Sequence, residues 1–238
     1  MKTEKEYLEA ILQPFSELDA KKSSQIHSYL KLVLAANQKT NLTAITDWNE
    51  AVVKHFYDSL AITRWPYWRE ATKIVDLGAG AGFPGLPLAI LYPHRSFYLI
   101  EASKKKAAFL TFVKDRLSLN NTVVLNERAE TIAHQSTYRE QFEVVTARAV
   151  ATVAVLLELA IPLCQPYGYF IAYKGRNYQE EMDRAQNAMQ ILGAALTDEI
   201  HYELPNALGE RTLLAFQKRQ NSPSKYPRRP GIPAKRPL

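Results

Sequence analysis

Asp76 to Gly85 reads DLGAGAGFPG, four glycines in ten residues, and it opens inside the short apolar run KIVDLG that begins at Lys73. Glycine has no Cβ, so it accepts positive φ and lets the main chain come close to a ligand. An apolar strand running into such a turn suggests an open α/β sheet, which binds ligands beyond the carboxyl ends of its strands. The residues that follow continue the pattern. FYLIEA, TVVLNE, EVVTARAV and GYFIAYKG each read as a buried strand. Helix candidates lie between them, the clearest being SKKKAAFLTFVKDRLSLN and TVAVLLELAIPL. Strands alternating with helices predict a parallel sheet with crossover helices.

The two ends of the chain differ from this middle. In SSQIHSYLKLVL, residues Ile26, Leu30, Val33 and Leu34 fall on one helical face. In DWNEAVVKHFYDSLAI, Asp47 and Glu50 form a capping-box pattern, and Val52, Phe56 and Leu60 form an apolar stripe. RWPYWRE, Arg64 to Glu70, breaks that helix at Pro66. After a helix predicted over YQEEMDRAQNAMQILG, the segments LTDEIHYELP and ERTLLAFQKR flank a turn containing Asn206 and Gly209, and predict an antiparallel edge hairpin. The chain thus divides into a helical region over 1–70, an α/β domain over 71–219 and a tail over 220–238.

Composition narrows the partners. The 238 residues include one cysteine, Cys164, set in LAIPLCQP, which excludes an internal disulfide framework and reads as a packing residue. The amino terminus lacks a signal-peptide core, and no run approaches the ~18–20 apolar residues of a membrane span. A soluble, cytoplasmic monomer with no membrane association is expected. The net charge is +6, yet Lys218 to Leu238 carries seven cations and no acid, leaving −1 on the preceding 217 residues. That asymmetry points to a polyanionic partner. Pro223, Pro227, Pro230, Pro233 and Pro237 predict an extended tail that orders only against a partner.

The glycines admit more than one cofactor. Gly80-x-Gly82-x-x-Gly85 matches the dinucleotide fingerprint, with Glu101 19 residues after Gly82. A ligand-free tight turn gives the same spacing. No Lys-Ser or Lys-Thr pair closes the loop, so the P-loop pattern fails. Asp76 stands two residues before Gly78, giving Asp-x-Gly-x-Gly-x-Gly. A pyrophosphate is met by amides at a helix N-terminus. S-adenosylmethionine carries no phosphate; for it, Gly78, Gly80 and Gly82 would bare the backbone while Asp76 receives the ammonium. Glu101 ends the second strand, where a carboxylate can accept both ribose hydroxyls, although a helix-start charge is the alternative. Ala129 and Glu130 follow the third strand, where an amide and an acid can read the adenine edge; an acid in a first helical turn is also ordinary.

Further pieces carry a resemblance. NLTAI (Asn41–Ile45), HFYDSL (His55–Leu60), DLGAGAGFPGLPLAI, RAE (Arg128–Glu130), VTARAVA ending at Ala151, YKG (Tyr173–Gly175) and KYPRRPGIPAKRP near the end occur in order over most of the chain. In these the chain resembles the RsmG (glucose-inhibited division protein B) family. The resemblance implies a Rossmann-like class I methyltransferase sheet. It also implies S-adenosylmethionine-dependent methylation of a guanine at ring position seven in bacterial 16S ribosomal RNA. Donor contacts at Gly78, Phe83, Ala129, Glu130 and Arg148 are implied with it. The rival readings are an NAD(P)-dependent oxidoreductase on a similar sheet and a non-catalytic RNA-binding module that uses the tail.

Nitrogen seven of guanine has a free lone pair and no proton to lose, so methyl transfer there needs no general base. The work is alignment of nitrogen, methyl and sulfur, with reacting atoms about 3–3.5 Å apart. This suits a loop with no evident acid–base pair beside it. Arg148, after the fourth strand, is the candidate for positioning the donor or the target, with strand-end carbonyls as its alternative partners. Lys218, Arg219, Lys225, Arg228 and Arg229 are the candidates for RNA phosphate contacts. Lys104, Lys105 and Lys106 add to a basic rim or a solvated face. Phe83 and Tyr173 are candidates for stacking on a base, or core residues. His55 and Asp58 either pair locally or reach the rim of the site, and no spacing suggests a metal ligand set.

Overall fold

A computed structural model describes residues 3–238. Seven strands form one mixed sheet in the order β3-β2-β1-β4-β5-β7-β6. In chain order these are β1 (Lys73–Leu77), β2 (Ser96–Ile100), β3 (Thr122–Leu125), β4 (Phe142–Arg148), β5 (Cys164–Lys174), β6 (Ala194–Glu203) and β7 (Glu210–Lys218). The first five run parallel. The β6–β7 hairpin pairs antiparallel, with β7 inserted against β5 and β6 at the edge. Five predicted strands and the hairpin are therefore all present. The chain steps outward from β1 to β3 and then returns, so β2 and β4 flank β1 on opposite sides, and a crevice opens beyond its carboxyl end.

The first two helices are α1 (Glu4–Leu12) and α2 (Ala20–Thr40). Thr3 and Glu6 form a reciprocal capping box on α1. Ile26, Leu30 and Val33 of α2 are buried, while Leu34 is half-buried. The next helical stretch is not uniform: α3 (Trp48–Ala51), a π-helical turn (Val52–Tyr57) and α4 (Asp58–Leu60) run together. The Asp47 carboxylate accepts from the Glu50 amide. The Glu50 carboxylate turns instead to Lys54, so only half of the predicted box forms. Val52, Phe56 and Leu60 are all buried, as their stripe requires. Two short 3-10 segments, Ala61–Arg64 and Pro66–Glu70, then lead into β1.

The crossover helices are α5 (Gly85–Leu91), α6 (Lys104–Arg116), α7 (Ala129–Ile132) and α8 (Val153–Ala160). The single helix predicted after β5 is broken into α9 (Gln179–Asp183) and α10 (Gln186–Leu192). One hydrophobic cluster covers each face of the sheet, and the amino-terminal helices share the first with Ile74, Leu99 and Ile171. Cys164 is buried at the start of β5, where desolvation pushes its thiol up to about 12. It stays a protonated packing group.

The tail departs from expectation. Instead of an extended segment waiting for a partner, residues 220–238 fold back on the domain and end in α11 (Ile232–Lys235). Arg139 donates to the carbonyls of Ser222 and Tyr226, and His134 bonds the Pro227 carbonyl at 2.7 Å. The Arg228 guanidinium and its amide make three hydrogen bonds to Glu158, a fully buried acid on α8. A buried carboxylate needs compensation of this kind, and the tail supplies it.

Candidate functional site

A cavity of about 570 Å³ lies beyond the carboxyl ends of β1, β2 and β4. Gly78, Gly80, Phe83, Glu101, Ala129, Glu130 and Arg148 all line it, together with His55, Thr43 and Val150. Seven of the nine expected donor residues are thus gathered at one opening. Its size falls within the ~300–1,000 Å³ of small-molecule sites.

The glycine loop takes its shape from positive φ at Gly78 (+70°), Gly80 (+60°) and Gly82 (+106°). Gly80 faces the cavity: a Cβ there would meet nothing nearer than the Gly78 carbonyl, 3.8 Å away. Gly82 faces inward, where a Cβ would collide with Tyr29 and Leu86, and it does not line the opening. Its expected donor contact is corrected to a packing role.

Asp76 is also corrected. It is 1% exposed and does not line the cavity. One carboxylate oxygen accepts from the Gly85 amide at 2.9 Å, and the other from the Thr146 hydroxyl at 3.1 Å. Burial pushes its carboxyl up to about 6. Asp76 ties the start of α5 to β1 and β4 and so braces the loop from beneath.

Glu101 stands at the rim, with one oxygen accepting from the Gly80 amide (2.9 Å) and the other from Ser103 (2.7 Å). Each carboxylate oxygen has two lone-pair sites, so capacity remains for ligand hydroxyls. Glu130 accepts from the Gly231 amide at 3.0 Å, and Gly231 and Ala234 of the tail themselves line the cavity. The tail is therefore a wall of the site, a role absent from its composition.

Arg148 donates to the Lys54 carbonyl (3.0 Å) and to Asp58 (2.9 Å), and its charge sits 5.3 Å above the Phe83 ring. Its carbonyl partners belong to the π-helical turn rather than to strand ends. π-helical turns recur at functional sites. His55 stacks on the other neighbour of this group, 4.5 Å from Phe83 at 14°. Burial and the Arg148 charge push His55 down to about 3, so the ring is neutral. Asp58 is buried and also accepts from the Tyr202 hydroxyl at 2.6 Å, which answers the local-pair alternative for this residue. Ala149 holds φ of +55°, a strained value for a residue with a Cβ, at the lip beside Arg148.

Two aromatics take the core alternative, and two cations leave the expected role. Tyr173 is 4% exposed, donates to the Ser59 carbonyl at 2.8 Å and does not line the cavity. It is core. Phe83 is buried and already stacks with Tyr29 (5.2 Å) and His55 (4.5 Å). Lys218 has no exposed surface; it binds Glu140 and the carbonyls of Ile161 and Cys164. Lys218 and Arg228 are thus structural, and neither is free for phosphate. Arg219, Lys225 and Arg229 are exposed, as are Lys104 and Lys105. Among the described residues no group of three or more His, Cys, Asp or Glu is placed to hold a metal ion, and no helix is long and apolar enough to cross a membrane.

The family model for rRNA small subunit methyltransferase G matches residues 22–204. The chain belongs to this family. A ribosomal RNA small subunit methyltransferase G from Carboxydothermus hydrogenoformans is 44% identical over 223 residues, covering 93% of this chain and 94% of the relative. One from Lysinibacillus sphaericus is 39% identical over 235 residues, covering 99% of both. Among solved structures, the O-methyltransferase from Bacillus cereus in complex with SAH aligns with a TM-score of 0.58 at 16% identity, over 89% of this chain and 96% of that one. This last likeness concerns the fold. It matches the mixed seven-stranded sheet described above.

Proposed function

We propose that the protein transfers the methyl group of S-adenosylmethionine to ring nitrogen seven of a guanine in small-subunit ribosomal RNA, acting as a monomer in the cytoplasm. The observation that carries this reading is the cavity at the carboxyl ends of β1, β2 and β4, where bared glycine backbone faces Glu101 and Arg148. Family membership favours it over the nicotinamide alternative.

The residues present fit the donor. The open space over Gly80 is a cradle that any Cβ would begin to fill. Gly78 and Gly80 would hold the methionine part against the main chain. Glu101 would accept the ribose hydroxyls through its spare lone pairs. The Ala129 amide opens the first turn of α7, where amides lack intrahelical partners, and with Glu130 it would meet the adenine edge. The bound donor supplies an electrophilic methyl on a sulfonium.

The protein's own task is then alignment. Nitrogen seven carries no proton, and the neutral His55 ring is not needed as a base. Arg148, fixed by Asp58 and the Lys54 carbonyl, holds the β4 lip against the π-helical turn. It sets the distance between the donor loop and the residues on the far side of the opening, which the near-attack geometry requires. Arg219, Lys225 and Arg229, exposed on and beside the tail, are the candidates for phosphate contact.

The test uses purified protein, labelled S-adenosylmethionine and small ribosomal subunits lacking the modification, followed by mapping of the labelled nucleotide. Methyl incorporation at guanine nitrogen seven is expected, with S-adenosylhomocysteine binding in calorimetry. Binding of NADH or NADPH in place of S-adenosylhomocysteine, with no incorporation, overturns the reading.

A further inference from the structure

The segment NLTAI has no part in holding the donor, yet Leu42 and Thr43 line the same cavity, on the side of His55 and Arg148. Glu101, Ala129 and Glu130 follow β2 and β3, on the opposite side of β1. Thr43 therefore stands where an incoming base would lie, across from the adenosine end.

Three contacts bear on the polarity of its hydroxyl. Arg148 Nη2 lies 3.5 Å from His55 Nδ1. A guanidinium only donates, so Nδ1 presents its lone pair there. The buried ring is neutral, so its single proton resides on Nε2. That nitrogen lies 2.9 Å from Thr43 Oγ1, and in this tautomer it donates to it. The Ile45 amide donates to the same oxygen at 3.1 Å. Both lone pairs of Oγ1 are then filled. With His55 in this tautomer no group among the described residues accepts the Thr43 hydroxyl hydrogen, and Thr43 lines the cavity.

We propose that Thr43 reads the target base: its hydroxyl, held as a donor by the Arg148–His55 relay, donates to O6 of the guanine. The inference rests on the guanine reading above. O6 and nitrogen seven share one edge of guanine and both accept, whereas adenine places an amino donor at the position of O6. A hydroxyl with no lone pair to spare meets that amino group donor to donor, so it selects guanine by repelling adenine as well as by binding O6. Thr43 is the contact; His55 and Arg148 are positioning residues that set its direction.

The experiment is a cycle between residue and base. Wild type, Thr43→Val and Thr43→Ser are compared on subunits carrying guanine at the target and on subunits reconstituted with 2-aminopurine, which keeps nitrogen seven and lacks O6. On guanine, Thr43→Val is expected to lower kcat/KM about 10- to 100-fold, the cost of one buried unpaired acceptor. Thr43→Ser restores it to within about threefold, because it returns the donor. Affinity for S-adenosylhomocysteine stays unchanged throughout. On 2-aminopurine, wild type falls by the same factor as the Val variant on guanine, and the substitution adds no further loss.

Equal penalties for Thr43→Val on the two substrates would assign Thr43 a loop-shaping role and overturn the inference. So would an unchanged rate on guanine. A wild-type rate on 2-aminopurine too low to detect also overturns it, since one hydrogen bond accounts for no more than about 100-fold. If Thr43→Val fails to fold, Thr43→Ala takes its place in the cycle. Failure of wild type to methylate guanine is a separate result, read first, and removes the proposed function itself.

Discussion

Replacing Asp76 with asparagine separates a brace from a ligand. The Asp76 carboxyl sits at about 6 when folded, against an ordinary 3.8. Desolvation is the largest cause, opposed by the Gly85 amide and the Thr146 hydroxyl. Between about pH 4 and pH 6 the unfolded chain loses this proton while the folded chain keeps it. Fewer protons on the unfolded state means that stability falls as pH rises through that window. A difference of about two units at 1.36 kcal/mol each amounts to about 3 kcal/mol, which is then absent at every higher pH. Asparagine carries no charge to desolvate. Its carbonyl oxygen can still accept from Gly85, and its amide can donate to Thr146, whose hydroxyl already lies 3.5 Å from the Val75 carbonyl. Urea unfolding of both proteins from pH 4.5 to 7.5 is the assay, read as their difference so that other titrating groups cancel. The Asp76→Asn variant should gain on wild type across the window, by up to about 3 kcal/mol at pH 7.5. Its affinity for S-adenosylhomocysteine should stay within about threefold, since Asp76 does not line the cavity. A difference that is flat with pH refutes the desolvated-brace argument. A loss of donor affinity beyond about tenfold in a folded Asn variant restores Asp76 as a ligand.

Three other outcomes follow from the same structure. Arg228→Met leaves the buried Glu158 without its cation and with only the backbone amide at position 228, a defect worth about 3–5 kcal/mol unless the tail detaches. Limited proteolysis should then cut within 220–238, and donor affinity should drop with the loss of Gly231 and Ala234 from the cavity wall; a protease-resistant tail contradicts this. Gly80→Val places a β-branched residue at φ of +60° and fills the cradle, so donor affinity should fall at least about tenfold with thermal stability reduced by about 1–3 kcal/mol. Unchanged calorimetry would show that the donor lies elsewhere. Lys218→Gln removes a buried cation holding Glu140 and two carbonyls, and should lower Tm by roughly 6–20 °C without altering the salt dependence of RNA binding. A smaller salt slope in that variant would return Lys218 to the RNA surface.

What the sequence makes legible here is whatever its local pattern dictates. Apolar runs of strand length bounded by glycine and asparagine place β1 to β5 and the edge hairpin, because a doubly covered parallel strand must be apolar throughout. The Asp-x-Gly-x-Gly-x-Gly loop locates the cavity for the same reason, since only glycine holds three positive φ values in five residues. The errors over the basic residues come from charge, which reports number but not direction. Lys218 and Arg228 belong to a cationic run in sequence, yet one closes the end of β7 and the other neutralises an acid on α8. A signal for the second was present: Glu158 is the only charge in VAVLLELA, and an acid among seven apolar neighbours must find a cation in the fold. Nothing local says which cation, because the partner lies 70 residues away. Thr43 was hidden for a related reason. A threonine in a short loop is ordinary, and its meaning arises only when β4 brings Arg148 to His55 and His55 to Thr43. Long-range hydrogen bonds of this kind determine which way a proton points, and that direction, more than the residue type, is what separates guanine from adenine at such a site.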